Sequence, residues 1–143
     1  MAKKKLLVLF GPNILREVEK DTAGTQTYDS LVLHIKAHAG ERGACCDVVQ
    51  SNWEGELIDR IHQAAEQYDG IVIDAGAFTH YSYAIRDAIQ SVRIPVIEAH
   101  MENLFALEDF RCKSVIAAVC AGQIGGLGAD SYLLALDALL HIK

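Results

Sequence analysis

The 143-residue chain is 51% hydrophobic and 22% charged, a balance that supports one packed core and excludes an intrinsically disordered polymer. Nineteen acidic residues against thirteen basic ones leave a net charge of -6, which argues against nucleic acid and anionic membrane as partners. Lys3-Lys4-Lys5 leads into an apolar run at residues 6–10 that is too short for a signal sequence or a spanning helix, so a cytoplasmic protein is expected.

Residues 6–10 read as a first strand, stopped by the turn signal Gly11-Pro12-Asn13. A helix is predicted from Asp29 or Ser30 to Gly43, with Leu31, Ile35 and Ala39 on one face. Residues 46–50 form the next strand. Glu54-Gly55 then opens a helix carrying Leu57, Ile58, Ile61 and Ala65 as its apolar stripe. Asp69-Gly70 precedes a third strand at residues 71–73, and Gly76 breaks the chain before a helix predicted over residues 81–90. A fourth strand is expected at residues 94–97, with Pro95 near its start, where a missing N–H costs little. Residues 115–121 read as the fifth strand, residues 122–128 as a glycine-rich turn, and Leu133, Leu136 and Leu140 mark a final helix. Strands this uniformly apolar belong in a parallel sheet covered on both faces. The reading is α/β: a flavodoxin-like, doubly wound, five-stranded parallel sheet forming a single domain over residues 1–143.

Ligands of open parallel sheets bind beyond the carboxyl ends of the strands. Those ends collect Asn13, Ser51-Asn52, the segment from Asp74 to His80, and then Glu98, His100, Glu102 and Asn103. Glu98 and His100 are two apart in an extended stretch and leave the same face, where a carboxylate can orient imidazole for acid–base work or form a structural pair. His80 lies before a helix, as a cap or a pocket residue. Asn103 begins a turn whose N–H groups suit an anion, and Arg111 suits a substrate carboxylate or an ordinary ion pair. Asp74, His80, Glu98, His100 and Glu102 contain enough ligands for a divalent metal, but their spacing matches no metal signature. Gly125-Gly126-Leu127-Gly128 is neither a P-loop nor a dinucleotide fingerprint and reads as a tight turn. Neither metal nor cofactor is expected. Cys45, Cys46, Cys112 and Cys120 lack paired spacing and read as buried free thiols.

Together, Gly11-Pro12-Asn13, the run from Gln50 to Ile58, Gly76-Ala77-Phe78-Thr79-His80, Glu98-Ala99-His100-Met101-Glu102-Asn103, Phe110-Arg111 and Gly126-Leu127-Gly128-Ala129-Asp130 resemble the type II 3-dehydroquinate dehydratases. The resemblance implies anti elimination of water through an enolate and a homo-oligomer, a dodecamer built from trimers. It makes His100 the general acid, Glu98 its orienting carboxylate and Asn13 a pocket residue. His80 and Arg111 would contact substrate, Asn103 would anchor its carboxylate, and Asp87 would reach across a trimer interface.

Three positions depart from that family's pattern. The segment after Asn13 is shorter by two residues, and Ala23 stands where the proton-abstracting tyrosine is expected. Arg16 or Lys20 is left to replace the lid arginine, and Tyr28 is the nearest remaining phenol. Asp74 replaces an asparagine and would repel a developing enolate, while Glu102 replaces a serine and adds charge where the substrate carboxylate belongs. The expectation is therefore a dehydratase-like lyase acting on a small hydroxylated keto compound that need not be 3-dehydroquinate, with Asp74 or Glu102 as base. A non-catalytic binding or structural paralogue, and an authentic 3-dehydroquinate dehydratase with a displaced base, stand as alternatives.

Overall fold

A computed structural model describes residues 2–142. Its strands are β1 (Lys5–Phe10), β2 (Cys45–Gln50), β3 (Gly70–Asp74), β4 (Val96–His100) and β5 (Gly122–Gly125). They form one parallel sheet in the order β2-β1-β3-β4-β5, the flavodoxin-like topology. The helices are α1 (Ile14–Asp21), α2 (Tyr28–Glu41), α3 (Glu54–Gln67), α4 (Tyr83–Ser91) and α5 (Asp130–His141).

Alternation along the strands divides the core in two. Leu6, Val8, Phe10, Val72, Ile97 and Ala99 pack under α2 and α5, while Leu7, Leu9, Ile71, Ile73 and Val96 pack under α3 and α4. Helices cover both faces, which explains the unbroken apolar runs of β1 and β3. Thr27 opens α2 with a reciprocal cap to Ser30, and Ser82 caps α4 by accepting from the Ile85 N–H at 3.0 Å. No helix among the described residues is long and apolar enough to cross a membrane.

Four sequence-based expectations need correction. Residues 115–121 are not the fifth strand: Ala117–Val119 form a 3₁₀ turn, and β5 comes from the glycine-rich segment expected to be a turn. Ser114 explains the displacement, because its hydroxyl accepts the Ala117 N–H at 3.0 Å while donating to Glu98 at 2.7 Å. The fourth strand starts beyond Pro95 and runs on through His100, which puts Glu98 and His100 inside the ladder. The segment after Asn13 is itself a helix, α1, pinned to the core by Ile14 and Val18. All four cysteines are free, but only Cys46 is buried.

Two glycines bring the first and third strand ends together. A Cβ at Gly11 would stand 2.4 Å from the Ala75 carbonyl oxygen, and one at Gly76 would stand 2.8 Å from that of Pro12. Gly76 also has φ +60°, a left-handed conformation that a side chain would strain. The Gly11 N–H donates to the Asp74 carbonyl at 2.7 Å, closing the seam beneath the site.

Candidate active site

Glu98 is fully buried on β4, where three donors converge on its carboxylate. The Ser114 hydroxyl donates at 2.7 Å, the Gln123 amide at 3.1 Å, and His100 Nε2 at 2.5 Å. Gln123 arrives because β5 pairs with β4 in register with Glu98. The glutamate is thus fixed before it touches the histidine, and it holds one ring nitrogen in place.

His100 is the last residue of β4 and is 6% exposed. Its second nitrogen, Nδ1, lies 3.4 Å from Asp74 Oδ1, within ion-pair distance but long for a hydrogen bond. A ring flanked by carboxylates on both nitrogens needs both protons. Burial works against the charge, but Asp74 and Glu98 outweigh it and raise the His100 pKa to about 10.

Asp74 ends β3 and faces several donors besides His100. Its Oδ2 accepts from the Tyr132 hydroxyl at 2.6 Å, and Oδ1 accepts from the Gly76 N–H at 3.2 Å. Tyr132 is buried on α5 and packs edge-on to Phe10, with ring centroids 4.9 Å apart. Burial opposes the Asp74 charge, yet the His100 cation and these hydrogen bonds hold its carboxyl below the usual value. In the sequence alone, Asp74 is a charge with no visible partner. In the structure its charge is shared among three partners.

A narrow hollow of about 40 Å³ opens above this trio. Asp74, His80, His100, Glu102 and Arg111 line it together, so five sequence-predicted residues meet at one place. A wider hollow of about 390 Å³ adjoins it at His100 and Leu104, walled by Asn103, Gln123, Gly125 and Gly126. Gly126 is required there, since its φ is +87° and a Cβ would approach that of Asn103 to 3.1 Å.

Individual side chains are held from different elements. His80 Nδ1 meets the Lys113 carbonyl oxygen at 2.7 Å and donates to it, leaving Nε2 as an acceptor. Arg111 pairs with Glu108 at 3.3 Å and lies over the Phe110 ring at 4.8 Å, a fork that a substrate carboxylate can take over. The Asn103 side chain accepts the Phe105 N–H at 3.1 Å, which opens the turn Leu104–Ala106.

Several expected residues stay outside the cleft. Asn13 is exposed, because its left-handed backbone (φ 71°) turns the chain into α1, and its carbonyl accepts from Arg16 and Glu17. Asp87 is exposed on α4, whose inward face is Ile85, Ala88 and Ile89, so within one chain it does not reach the site. Arg16 and Lys20, the two candidates to replace the lid arginine, are exposed on α1. Tyr28 packs on Phe10 under the α2 face, where burial followed by the Asp29 charge raises its phenol pKa. Ser51 accepts the Trp53 N–H at 3.0 Å and donates to Glu56 at 3.0 Å, starting α3 instead of lining the cleft.

Sequence reasoning missed Glu17, which lines the narrow hollow from α1. The signal was present in the spacing: Ile14 and Val18 mark a helical stripe, and Glu17 flanks it. Among the described residues, no group of His, Cys, Asp and Glu is arranged to hold a metal ion.

A family model described as dehydroquinase class II matches residues 4–140. The 3-dehydroquinate dehydratase of Caldicellulosiruptor saccharolyticus is 52% identical, with 97% of this chain and 98% of that protein covered. That of Thermotoga neapolitana is also 52% identical, with 97% and 96% covered. The type II dehydroquinase crystal structure from Butyrivibrio crossotus superimposes with a TM-score of 0.92 at 42% identity, covering 96% of this chain and 98% of that one.

Proposed function

The chain belongs to the class II dehydroquinase family, and from that premise we propose that it is a lyase removing water from 3-dehydroquinate. Identity of 52% over nearly the whole length to named 3-dehydroquinate dehydratases favours the authentic dehydratase with a displaced base over a lyase for a different keto compound. The single observation that carries the chemistry is the placement of His100 between a clamped nitrogen and a loosely engaged one, at the wall of both hollows.

Dehydration of a β-hydroxy ketone removes the hydrogen beside the ketone and expels the hydroxyl as water. Hydroxide is a poor leaving group, so an acid must protonate it. His100 carries that proton on Nδ1, because Nε2 is tied to Glu98 at 2.5 Å. The 3.4 Å contact to Asp74 is the weaker of the two and yields to a substrate hydroxyl. After transfer, Glu98 keeps the ring in place and the neutral imidazole regains a proton from solvent. Arg111 and the Asn103 turn bind the substrate carboxylate, while His80 accepts a ring hydroxyl at Nε2. Glu98 and Asp74 act as positioning residues through His100.

The test is direct. Purified chain mixed with 3-dehydroquinate should generate the ultraviolet absorbance of a conjugated enone, and His100→Ala should lower kcat by at least about a hundredfold. No absorbance change with the wild-type chain would refute the activity.

The same reading includes assembly of several copies in the cytoplasm, ultimately a dodecamer of trimers. Exposed Phe105, Phe110, Tyr81 and Leu127 near the cleft support it as apolar surface suited to a neighbouring copy. Native mass spectrometry finding only monomers would refute it.

A further inference from the structure

The dehydration needs a base as well as an acid, and position decides which carboxylate or imidazole of the cleft can serve. Asp74 is committed to Tyr132, the Gly76 N–H and His100. His80 is tied by Nδ1 to the Lys113 carbonyl, and its ring lies 6.4 Å from that of Phe110, on the wall that carries Arg111. Glu102 follows His100 by two residues and therefore enters from the same strand end as the acid. An acid and a base from one strand end crowd the same edge of a substrate ring.

Glu17 enters from the other side. The sheet places β3 between β1 and β4, and α1 follows β1 directly through Gly11-Pro12-Asn13. His100 stands on β4 and Asp74 on β3, so a ring above the end of β3 has α1 on one flank and the imidazole on the other. Ile14 and Val18 anchor α1 at 2% and 0% exposure, and Glu17, between them in sequence, emerges at the rim of that buried face. Arg16, Glu19 and Lys20 are exposed, whereas Glu17 is half-buried and lines the narrow hollow.

Resting on the dehydratase reading above, we propose that Glu17 is the general base, delivered by the short helix α1 to the face of the substrate opposite His100. The Glu17 carboxylate takes the hydrogen beside the ketone, and the electrons of that C–H bond form the enolate. As the enolate collapses, the C–O bond breaks and the hydroxyl leaves as water with the proton from His100 Nδ1. The products are the conjugated enone and water. Protonated Glu17 then loses its proton to solvent, and His100 regains one, so no outside reductant or oxidant is needed. A helix anchored at two core positions supplies a base with little freedom to wander, which suits proton abstraction from carbon.

The experiment compares Glu17→Ala, its isosteric partner Glu17→Gln, and Glu19→Gln on the exposed face of the same helix, using the full chain and enone absorbance. Both Glu17 variants should lose at least about a hundredfold in kcat, and Glu19→Gln should match the wild type. Added formate should restore activity to Glu17→Ala by about tenfold or more, a rescue that a merely structural carboxylate would not give. Circular dichroism establishes that each variant is folded; if Glu17→Ala is not, Glu17→Gln decides. An active wild type with a folded, fully active Glu17→Gln overturns the assignment alone. A wild-type chain that forms no enone overturns the dehydratase reading and this base with it.

Discussion

Replacing Asp74 with asparagine keeps the shape of the side chain and removes its charge, so it isolates what that carboxylate does to His100. The Asp74 oxygen lies 3.4 Å from Nδ1, and at an effective dielectric of about 20 Coulomb's law gives an attraction of about 5 kcal/mol. Divided by about 1.4 kcal/mol per pH unit, that is a shift of roughly 3–4 units. The amide dipole returns part of it, and Glu98 still holds Nε2 at 2.5 Å. His100 is therefore expected to fall in Asp74→Asn well below the value of about 10 that it has in the wild type. Histidine-labelled protein followed by heteronuclear NMR across the pH range reads the titration of this one ring. The alkaline limb of kcat/KM should move down with it, because the acid works only while protonated. A His100 resonance that still titrates above about pH 9 in the variant would show that Asp74 does not hold the proton, and the electrostatic account of the site would fail.

The same pair sets the pH dependence of stability. His100 is raised from 6.5, so its contribution is complete below 6.5 and is lost as pH rises through about 10. Asp74 is lowered from 3.8, so its contribution is present above 3.8 and is lost as pH falls through its folded value. The unfolding free energy from urea titrations should therefore peak between these limits and fall by an amount on the order of 3 kcal/mol toward about pH 10, counting the shared interaction once; a flat profile there would refute the coupling. Glu102→Ser removes a carboxylate from the rim of the narrow hollow and should lower KM for 3-dehydroquinate about 5- to 20-fold, worth roughly 1–2 kcal/mol, measured by steady-state kinetics. Gly11→Ala drives a Cβ to within 2.4 Å of the Ala75 carbonyl oxygen, and calorimetry should find a lower Tm, with a cost of roughly 1–3 kcal/mol.

The fold was legible because apolar runs and amphipathic stripes are one-dimensional signals. Leu31, Ile35 and Ala39 on α2 are all buried, as are Leu57 and Ile61 on α3, as their spacing requires. The fifth strand was not legible for the same reason. Residues 115–121 have strand composition, but Ser114 bonds both to Glu98 and to the Ala117 N–H, and this long-range contact bends the run into a turn. β5, with the sequence Gly-Gln-Ile-Gly, has almost no propensity of its own and exists because β4 offers it an edge. At the site, the pairing of Glu98 with His100 follows from strand alternation and could be read in sequence. The contacts of Asp74 with His100 and Tyr132 span 26 and 58 positions, and no local pattern encodes them.

That difference in range explains why Asp74 looked hostile to the chemistry when read alone. A lone carboxylate beside a developing enolate raises its energy, and an asparagine would be the safer residue. In the folded chain the aspartate has a tyrosine hydroxyl on one oxygen, with a backbone N–H and an imidazolium close to the other. Its charge is spent on keeping His100 protonated, which is the state a general acid must start from. The trio of Glu98, His100 and Asp74 therefore carries one net negative charge, with the positive ring between the two carboxylates. The aspartate thus favours charge-assisted over neutral hydrogen-bond donation by His100, while Glu102 and Glu17 set further carboxylates around the same hollow.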